Sequence, residues 1–338
     1  MAIGMKALSR AFLYGAVAFL LQIGVAQQAP QPAIDPALEI KIASSKDSFQ
    51  QSAIFYVPPG AAAKETGPRT PLVVFLHSWS TDYKTVGPAL EESKRRGWIF
   101  VGPDFRGPNE TPQACGSDLA VQDILDSVDY AKRAARVEEK RIYLVGSSGG
   151  GHMALLMATR APALWSAVSV WVPITDLSTW YAFSKATGSQ YFQMMDKCLG
   201  GPPDSPERAA EYRRRSSLFY LGRAKGLRII IDSGLRDGHA GGAVPLSQSL
   251  LAFNELARAN GSPDKVLTLE EIDILTRESR IPDNLAGERE VEAGRRQSIL
   301  FRRTAGPVRL TLFDGGHSVD VPTSFRWLDS LGTSAQKK

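Results

Sequence analysis

Six short apolar runs, most of them followed by a helix-like stretch, constrain the fold of this chain more than any other feature. The runs cover residues 71–77, 98–103, 142–145, 167–172, 227–231 and 308–313. Amphipathic patterns follow five of them, at residues 84–96, 121–133, 153–160, 245–259 and 322–331. Apolar strands that alternate with helices predict an α/β fold, with a mostly parallel sheet and helices on both of its faces.

The remaining segments define the predicted domain. Two extended stretches, 38–43 and 53–57, precede the six runs, so the predicted sheet has eight strands. Residues 176–225 form an excursion between strands six and seven, where it can cover the carboxyl edge of the sheet. Residues 261–306 are interpreted as a surface excursion of unassigned role, with a helix near 269–276 behind a capping box. We expect one domain, residues 49–331, and a tail at 332–338.

The first 26 residues are typical of a secretory signal peptide. Lys6 and Arg10 precede an apolar stretch of about 15 residues, which is shorter than the roughly 20 that a membrane span needs. Small residues end the stretch at Ala26. We therefore predict a signal peptide at 1–26, a flexible leader at 27–48, and a secreted or periplasmic protein without a stable membrane span. The alternative interpretation is an uncleaved anchor.

Charge and composition exclude one class of partner. The formal net charge of the 338 residues is +5, and it becomes +3 when the predicted signal peptide, with its two basic residues and no acid, is removed. No basic run is interleaved with aromatic residues as in a strand-binding surface. The sequence therefore predicts no nucleic-acid partner.

The stretch GSSGGG at residues 146–151 is the strongest local motif. A phosphate-binding loop of the type GxxxxGK[ST] would need a lysine after the glycines, but His152 follows. The pentapeptide 146–150 instead reads G-x-S-x-G, directly after an apolar strand and before a helix. This context predicts a nucleophile elbow, in which glycines leave room for a strained serine. Ser148 is the central residue, and Ser147 is the variable one.

A nucleophilic serine needs a base, and the base needs an acid to orient it. His317 follows the last predicted strand in a loop that Gly315 and Gly316 open, and we predict that it is the base. Asp232 and Asp237 both follow the strand at 227–231, and we choose Asp237 as the acid because it lies at the far tip of the loop.

The other three histidines fit other roles. His239 lies too close in sequence to Asp237 to reach back easily to Ser148. His77 can shape the oxyanion loop or serve a structural role, and His152 is expected to pack on the elbow helix. No HxH or HExxH spacing occurs, so we predict no catalytic metal and no cofactor.

The order of Ser148, Asp237 and His317 on alternating strands and helices resembles the α/β-hydrolase fold, over roughly residues 49–331. GSSGGG, residues 237–245 and the stretch PDFRG at 103–107 resemble the catalytic domain of the prolyl oligopeptidase family. This resemblance implies a serine hydrolase that cleaves an ester or peptide bond through a Ser-His-Asp triad and an acyl-enzyme.

The sequence departs from that family in two ways. Many relatives carry HGG or YGG after the third strand, whereas this chain has His77 followed by Ser78 and Trp79. We expect an oxyanion hole formed by the Gly149 N–H with that of Ser78 or Trp79. The chain also has no room for the large β-propeller of the family, so an esterase acting on acetyl or feruloyl groups of carbohydrates remains an alternative. A hydrolase-fold binding protein without turnover is another.

Two further groups of residues are candidates for the site. Five aromatic residues fall near the predicted carboxyl edge and are candidates for substrate contacts, although core or lid packing is the other interpretation: Trp79, Tyr83, Trp171, Trp180 and Tyr181. The two cysteines, Cys115 and Cys198, are either a disulfide that tethers the excursion at 176–225 or two buried thiols. The substrate is expected to be a small ester, a peptide or a glycan ester.

Overall fold

Nine strands form one sheet in the computed structural model, which describes residues 37–239 and 242–335. The strands are β1 (Leu38–Ala43), β2 (Gln50–Tyr56), β3 (Thr70–Leu76), β4 (Ile99–Pro103), β5 (Val137–Ser147), β6 (Ala167–Trp171), β7 (Arg228–Gly234), β8 (Ile299–Ala305) and β9 (Val308–Phe313). Their spatial order is β1-β2-β4-β3-β5-β6-β7-β9-β8. The described residues all lie in one compact unit.

The centre of the sheet is parallel and its edges are antiparallel. Strands β4, β3, β5, β6, β7 and β9 run in the same direction, whereas β1, β2 and β8 pair antiparallel with their neighbours. Strands β3, β4 and β6 are completely buried, as expected for strands covered on both faces. The predicted α/β-hydrolase architecture is confirmed.

Helices cover both faces because side chains alternate along each strand. The helices are α1 (Gly87–Arg96), α2 (Asp118–Ala134), α3 (Gly149–Arg160), α4 (Leu177–Ala186), α5 (Tyr191–Leu199), α6 (Pro206–Arg214), α7 (Ser247–Ala259), α8 (Leu269–Asp273) and α9 (Val321–Ala335). Leu72 and Val74 of β3 face a core shared with α2, α3 and α7. Val73 and Phe75 face the opposite core, shared with α1 and α9.

Two boundaries differ from the prediction. The predicted surface excursion at 261–306 contains β8, which forms a hairpin with β9 and buries Phe301 in the main core. The predicted leader at 27–48 contains β1, whose six residues pair with β2 from Leu38 to Ala43. Backbone pairing extends the sheet at both edges, so both segments belong to the domain.

The excursion at 176–225 contributes α4, α5 and α6 between β6 and β7. Their apolar faces form a separate cluster with Trp79 and Cys115. The predicted signal peptide lies outside the described residues, as do residues 27–36 of the predicted leader. Within the part of the chain that the structure describes, no helix is long and apolar enough to cross a bilayer.

Candidate active site

Ser148 lies between β5 and α3 in a backbone conformation that side-chain-bearing residues rarely adopt, with φ 55° and ψ −119°. Its N–H donates a hydrogen bond of 2.8 Å to the carbonyl oxygen of Trp171, the last residue of β6. Its carbonyl oxygen accepts one of 2.9 Å from the N–H of His152 on α3. The strained turn is therefore held from both sides, and such turns persist only where the surroundings impose them.

Glycines leave the room that this turn needs. A Cβ on Gly146 would overlap the carbonyl group of Gly150, and a Cβ on Gly150 would overlap the carbonyl oxygen of Leu76 at the end of β3. A Cβ on Gly149 would overlap the backbone nitrogen of Trp79. Because these obstacles are backbone atoms, a side chain at any of the three positions would force the elbow or the loop after β3 to move.

His317 and Asp237 form a hydrogen-bonded pair between the loops that follow β9 and β7. His317 Nδ1 lies 2.7 Å from Asp237 Oδ2. The carboxylate is buried, and its Oδ1 accepts hydrogen bonds from the N–H groups of Gly238 at 2.9 Å and Val244 at 3.3 Å. A carboxylate acceptor places the imidazole proton on Nδ1, which leaves the lone pair of Nε2 available to accept a proton.

Asp232, the other candidate acid, has a different partner. Its Oδ1 lies 2.8 Å from Nη2 of Arg295, and both side chains are buried. Asp232 lies within β7 and is buried there, whereas Asp237 lies at the tip of the following loop. The structure thus brings His317 together with Asp237.

The remaining histidines contact other parts of the fold. His77 is stacked on Phe105 with 4.0 Å between ring centroids, and His239 contacts the carbonyl oxygen of Thr276. His152 is buried on α3. Over residues 37–239 and 242–335, no group of three or more His, Cys, Asp or Glu side chains is arranged to hold a metal ion.

Ser148 and His317 open onto the same pocket, which has a volume of about 230 Å³. Its walls are formed by Ser78, Ser147, Ser148, Val172, Tyr191, His317, Ser318 and Val319. Tyr191 begins α5 and so brings the excursion at 176–225 to the mouth of the pocket. Two valines and one aromatic ring give the walls apolar surface, and four serine residues add polar groups.

Two backbone N–H groups are suited to bind an oxyanion beside Ser148. Gly149 is the first residue of α3, where N–H groups have no partner within the helix. The Trp79 N–H forms no hydrogen bond with another described residue, and its nitrogen packs directly against Gly149. Asn109 fixes this loop, because its N–H and Nδ2 donate to the Trp79 carbonyl oxygen at 2.9 and 3.0 Å. Of the two expected second donors, Trp79 therefore fits better than Ser78.

The structure corrects the interpretation of five aromatic side chains as substrate contacts, since none of them lines this pocket: Trp79, Tyr83, Trp171, Trp180 and Tyr181. The Tyr83 hydroxyl donates to Glu39 on β1 at 2.6 Å. The Trp171 indole N–H donates to Ser324 on α9 at 2.8 Å. Both side chains are buried, and the polar atom of each is bonded to a residue outside the pocket lining.

Trp79, Trp180 and Tyr181 pack in the apolar cluster beneath α4 and α5. Trp180 contacts both Trp79 and Tyr191, with ring centroids 4.7 and 5.1 Å apart. These rings support Tyr191, which is the aromatic residue that does line the pocket. Sequence reasoning missed Tyr191 because nothing in the sequence shows which residues of the excursion come close to Ser148. It also missed Val172, although that residue directly follows β6.

Cys115 and Cys198 are buried, unbonded thiols in this structure. Burial, together with a hydrogen bond to the Cys198 thiol, raises the pKa of Cys115. Cys198 lies on α5 and Cys115 in the loop before α2. The structure therefore places Cys115 and Cys198 in contact with each other, as two thiols and not as a disulfide.

Comparison with known proteins finds one family whose sequence pattern matches this chain. The model of the prolyl oligopeptidase family matches residues 93–271, which is more than half of the chain. The matched range includes Ser148 and Asp237 and ends before His317. No curated protein sequence is significantly similar to the chain.

Solved structures with the same fold include several peptidases. Pyrococcus horikoshii acylaminoacyl peptidase is 20% identical, with a TM-score of 0.52 over 66% of this chain and 35% of its own. A Mycobacterium tuberculosis puromycin-hydrolyzing peptidase is 18% identical, with a TM-score of 0.56 over 86% and 38%. Porphyromonas gingivalis dipeptidyl peptidase 4 is 15% identical, with a TM-score of 0.58 over 87% and 35%. The chain thus spans little more than a third of the length of these proteins.

Proposed function

This chain belongs to the prolyl oligopeptidase family, and we propose that it is a serine hydrolase that cleaves an ester or peptide bond through an acyl-enzyme. Ser148 is the nucleophile, His317 the general base and Asp237 the acid that orients the base. The observation that carries the proposal is the hydrogen bond of 2.7 Å between His317 and Asp237, together with the pocket that His317 and Ser148 both line.

Acylation begins when the Ser148 hydroxyl attacks the substrate carbonyl carbon and its proton passes to His317 Nε2. Asp237 stabilises the resulting imidazolium and does not take the proton. The N–H groups of Gly149 and Trp79 donate hydrogen bonds to the oxyanion, and the positive end of the α3 dipole adds to this stabilisation. His317 then gives its proton to the leaving group, and the acyl-enzyme remains.

Deacylation repeats the same steps with water as the nucleophile. His317 removes a proton from water, which attacks the acyl carbon, and the tetrahedral intermediate forms in the same oxyanion hole. Collapse of the intermediate returns the proton to Ser148 and releases the acid. Each side chain therefore acts twice, and the rate depends on one geometry for both halves of the reaction.

The pocket has room for a short acyl group. A volume of about 230 Å³ lined by Val172, Val319 and Tyr191 suits an acetyl or other short apolar group. This observation favours the second candidate, an esterase that removes acetyl groups from carbohydrate, alongside peptidase activity.

Secretion to the periplasm or the medium is part of the proposal. It rests on the basic residues, short apolar core and small residues of the first 26 positions. N-terminal sequencing of the exported protein tests it. A mature chain that starts near Gln27 is expected, whereas full-length protein retained in the membrane fraction would contradict it.

A substrate panel with matched serine variants tests the reaction. We expect Ser148→Ala to lower kcat at least about a thousandfold on p-nitrophenyl acetate or on proline-containing amides, because triad members act as a unit. Ser147→Ala, one position away, should stay within about tenfold of wild type. Equal losses in both variants, or near-normal turnover by Ser148→Ala, would contradict the assignment. The substrate class with the higher kcat/KM separates peptidase from esterase.

A further inference from the structure

The segment just before β8 lies against the ends of three strands that support the site. Arg295 has a side-chain exposure of 1%, and it contacts the last residue of β6, the last residue of β9 and one residue near the end of β7. Its Nη2 lies 2.8 Å from Asp232 Oδ1. Its guanidinium carbon lies 5.0 Å from the centroid of the Trp171 indole and 5.7 Å from that of the Phe313 ring.

Each of these contacts leads to the nucleophile, to the wall of the pocket or to the loop that carries the base. The Trp171 carbonyl oxygen accepts the hydrogen bond from the Ser148 N–H. The Asp232 carbonyl oxygen accepts one of 2.8 Å from the N–H of Val172. Val172 lines the pocket with φ 44°, a strained value for a β-branched residue. Phe313 immediately precedes the loop that carries the base.

The three residues after Arg295 continue this contact along the loop that carries His317. The Arg296 N–H donates to Asp320 at 3.1 Å, and Gln297 Nε2 donates to the Ser318 hydroxyl at 3.4 Å. The Ser298 carbonyl oxygen accepts from the Asp314 N–H at 2.9 Å. Residues 295–298 therefore contact both sides of His317 in sequence.

We propose that Arg295 is a positioning residue, which fixes the nucleophile elbow, the strand that leads to the acid loop and the base loop relative to one another. The proposal rests on the function proposed above for Ser148, Asp237 and His317. Arg295 acts through Asp232, Trp171 and Phe313 and does not touch the substrate. Its planar cation suits this place because it pairs with a buried carboxylate and stacks on two rings at once.

Two variants test this role without leaving an unpaired buried charge. D232N/R295M removes both charges together, and R295K keeps the cation while losing the planar group that stacks on the rings. A matched control is E92Q/R96M. Arg96 likewise pairs with a buried carboxylate, Glu92, and lies 5.8 and 5.5 Å from the centroids of Trp98 and Phe325. Arg96 is the last residue of α1, just before β4 begins, and so lies near the start of a parallel strand and not near the strand ends that Arg295 contacts.

The measurements are kcat and KM on p-nitrophenyl acetate, the rate of labelling by a fluorophosphonate probe, and Tm. We expect D232N/R295M to lower kcat and the labelling rate about 10- to 100-fold, with KM changed less than about threefold, since small displacements of reacting groups have effects of this size. R295K should recover part of kcat. E92Q/R96M should keep wild-type kcat even where its Tm falls as far.

Three results would overturn the proposal. The first is a wild-type kcat in D232N/R295M. The second is a kcat in E92Q/R96M that falls as far as in D232N/R295M when the two variants lose the same Tm. If D232N/R295M fails to fold, R295K decides, and wild-type kcat in R295K then counts against the role. A wild-type protein that neither hydrolyses the ester nor reacts with the probe refutes the proposed function itself. A reactive wild type with unaffected variants refutes only the role of Arg295.

Discussion

Gly149 is the position where the elbow and the loop after β3 approach each other most closely. Its N–H and that of Trp79 are the proposed oxyanion donors, and a Cβ on Gly149 would overlap the Trp79 backbone nitrogen. The same close approach that excludes a side chain places the two N–H groups side by side. The glycine is therefore needed for the geometry of the donors as well as for the turn.

Gly149→Ala should separate these donors. We expect kcat for ester hydrolysis to fall about 100-fold or more, because loss of one oxyanion donor has effects of this size. Gly316→Ala is the control, since a Cβ there would meet no atom within 4 Å, although Gly316 is next to His317. Steady-state kinetics of both variants make the comparison. Similar kcat values in the two variants would argue against the Gly149–Trp79 oxyanion hole.

The sequence ordered the triad candidates and favoured Asp237 over Asp232 from its place at the tip of the loop, but it could not show what holds Asp232. Both residues follow the apolar core of β7, and the distance along the chain does not show which carboxylate turns toward the base. Asp232 forms an ion pair with Arg295, which comes from a segment without periodicity. Contacts between residues so far apart in sequence have no local signal, so this part of the site needed the structure.

At the scale of elements, β8 shows how a buried charge hides a strand. Arg302 lies in the middle of β8 and is buried, with its guanidinium bonded to Thr311 on β9 and to Glu290. Two adjacent arginines interrupt the apolar alternation that marks a strand. Because Glu290 and its neighbours neutralise Arg302, the strand can still pair with β9. The turn at Gly306 and Pro307 was the available signal for a hairpin.

Helix α5 forms one wall of the pocket through Tyr191, and Cys198 near its other end contacts Cys115. In an oxidising compartment we expect these thiols to form a disulfide, with their two electrons passing to a disulfide oxidant. Protein recovered from the periplasm or the medium should then show no free thiols in denaturant without reductant. The C115S/C198S variant should have a lower Tm. Two free thiols in the exported protein would contradict the expectation.

At the scale of the whole molecule, the fold followed from the sequence because strand burial and helix amphipathicity are local signals. The alternation of apolar runs and helices predicted the parallel core, and the structure confirms it. The pocket wall did not follow, because Val172, Val319 and Tyr191 come from three distant segments. The spacing of motifs predicts the order of the nucleophile, the acid and the base along the sheet edge. Packing between loops decides which residues surround them.

His152 contributes to the acid stability of the whole molecule. Burial lowers the pKa of this histidine to about 4. Because the unfolded value is about 6.5, the unfolded chain binds the proton first as pH falls, and the folded state loses stability between about pH 6.5 and pH 4. The expected contribution is about 3 kcal/mol of unfolding free energy. Urea unfolding at pH 7 and pH 4 should show a smaller loss for His152→Gln than for wild type. Parallel losses would contradict this assignment.

The central claim is that Ser148 is a nucleophile activated by the His317–Asp237 pair. The most direct test is to label the purified protein with a fluorophosphonate probe and to map the modified residue by mass spectrometry. We expect labelling at Ser148, none in Ser148→Ala, and a labelling rate at least about a hundredfold lower in His317→Ala. No labelling of the folded wild-type protein, or labelling at another serine, would contradict it.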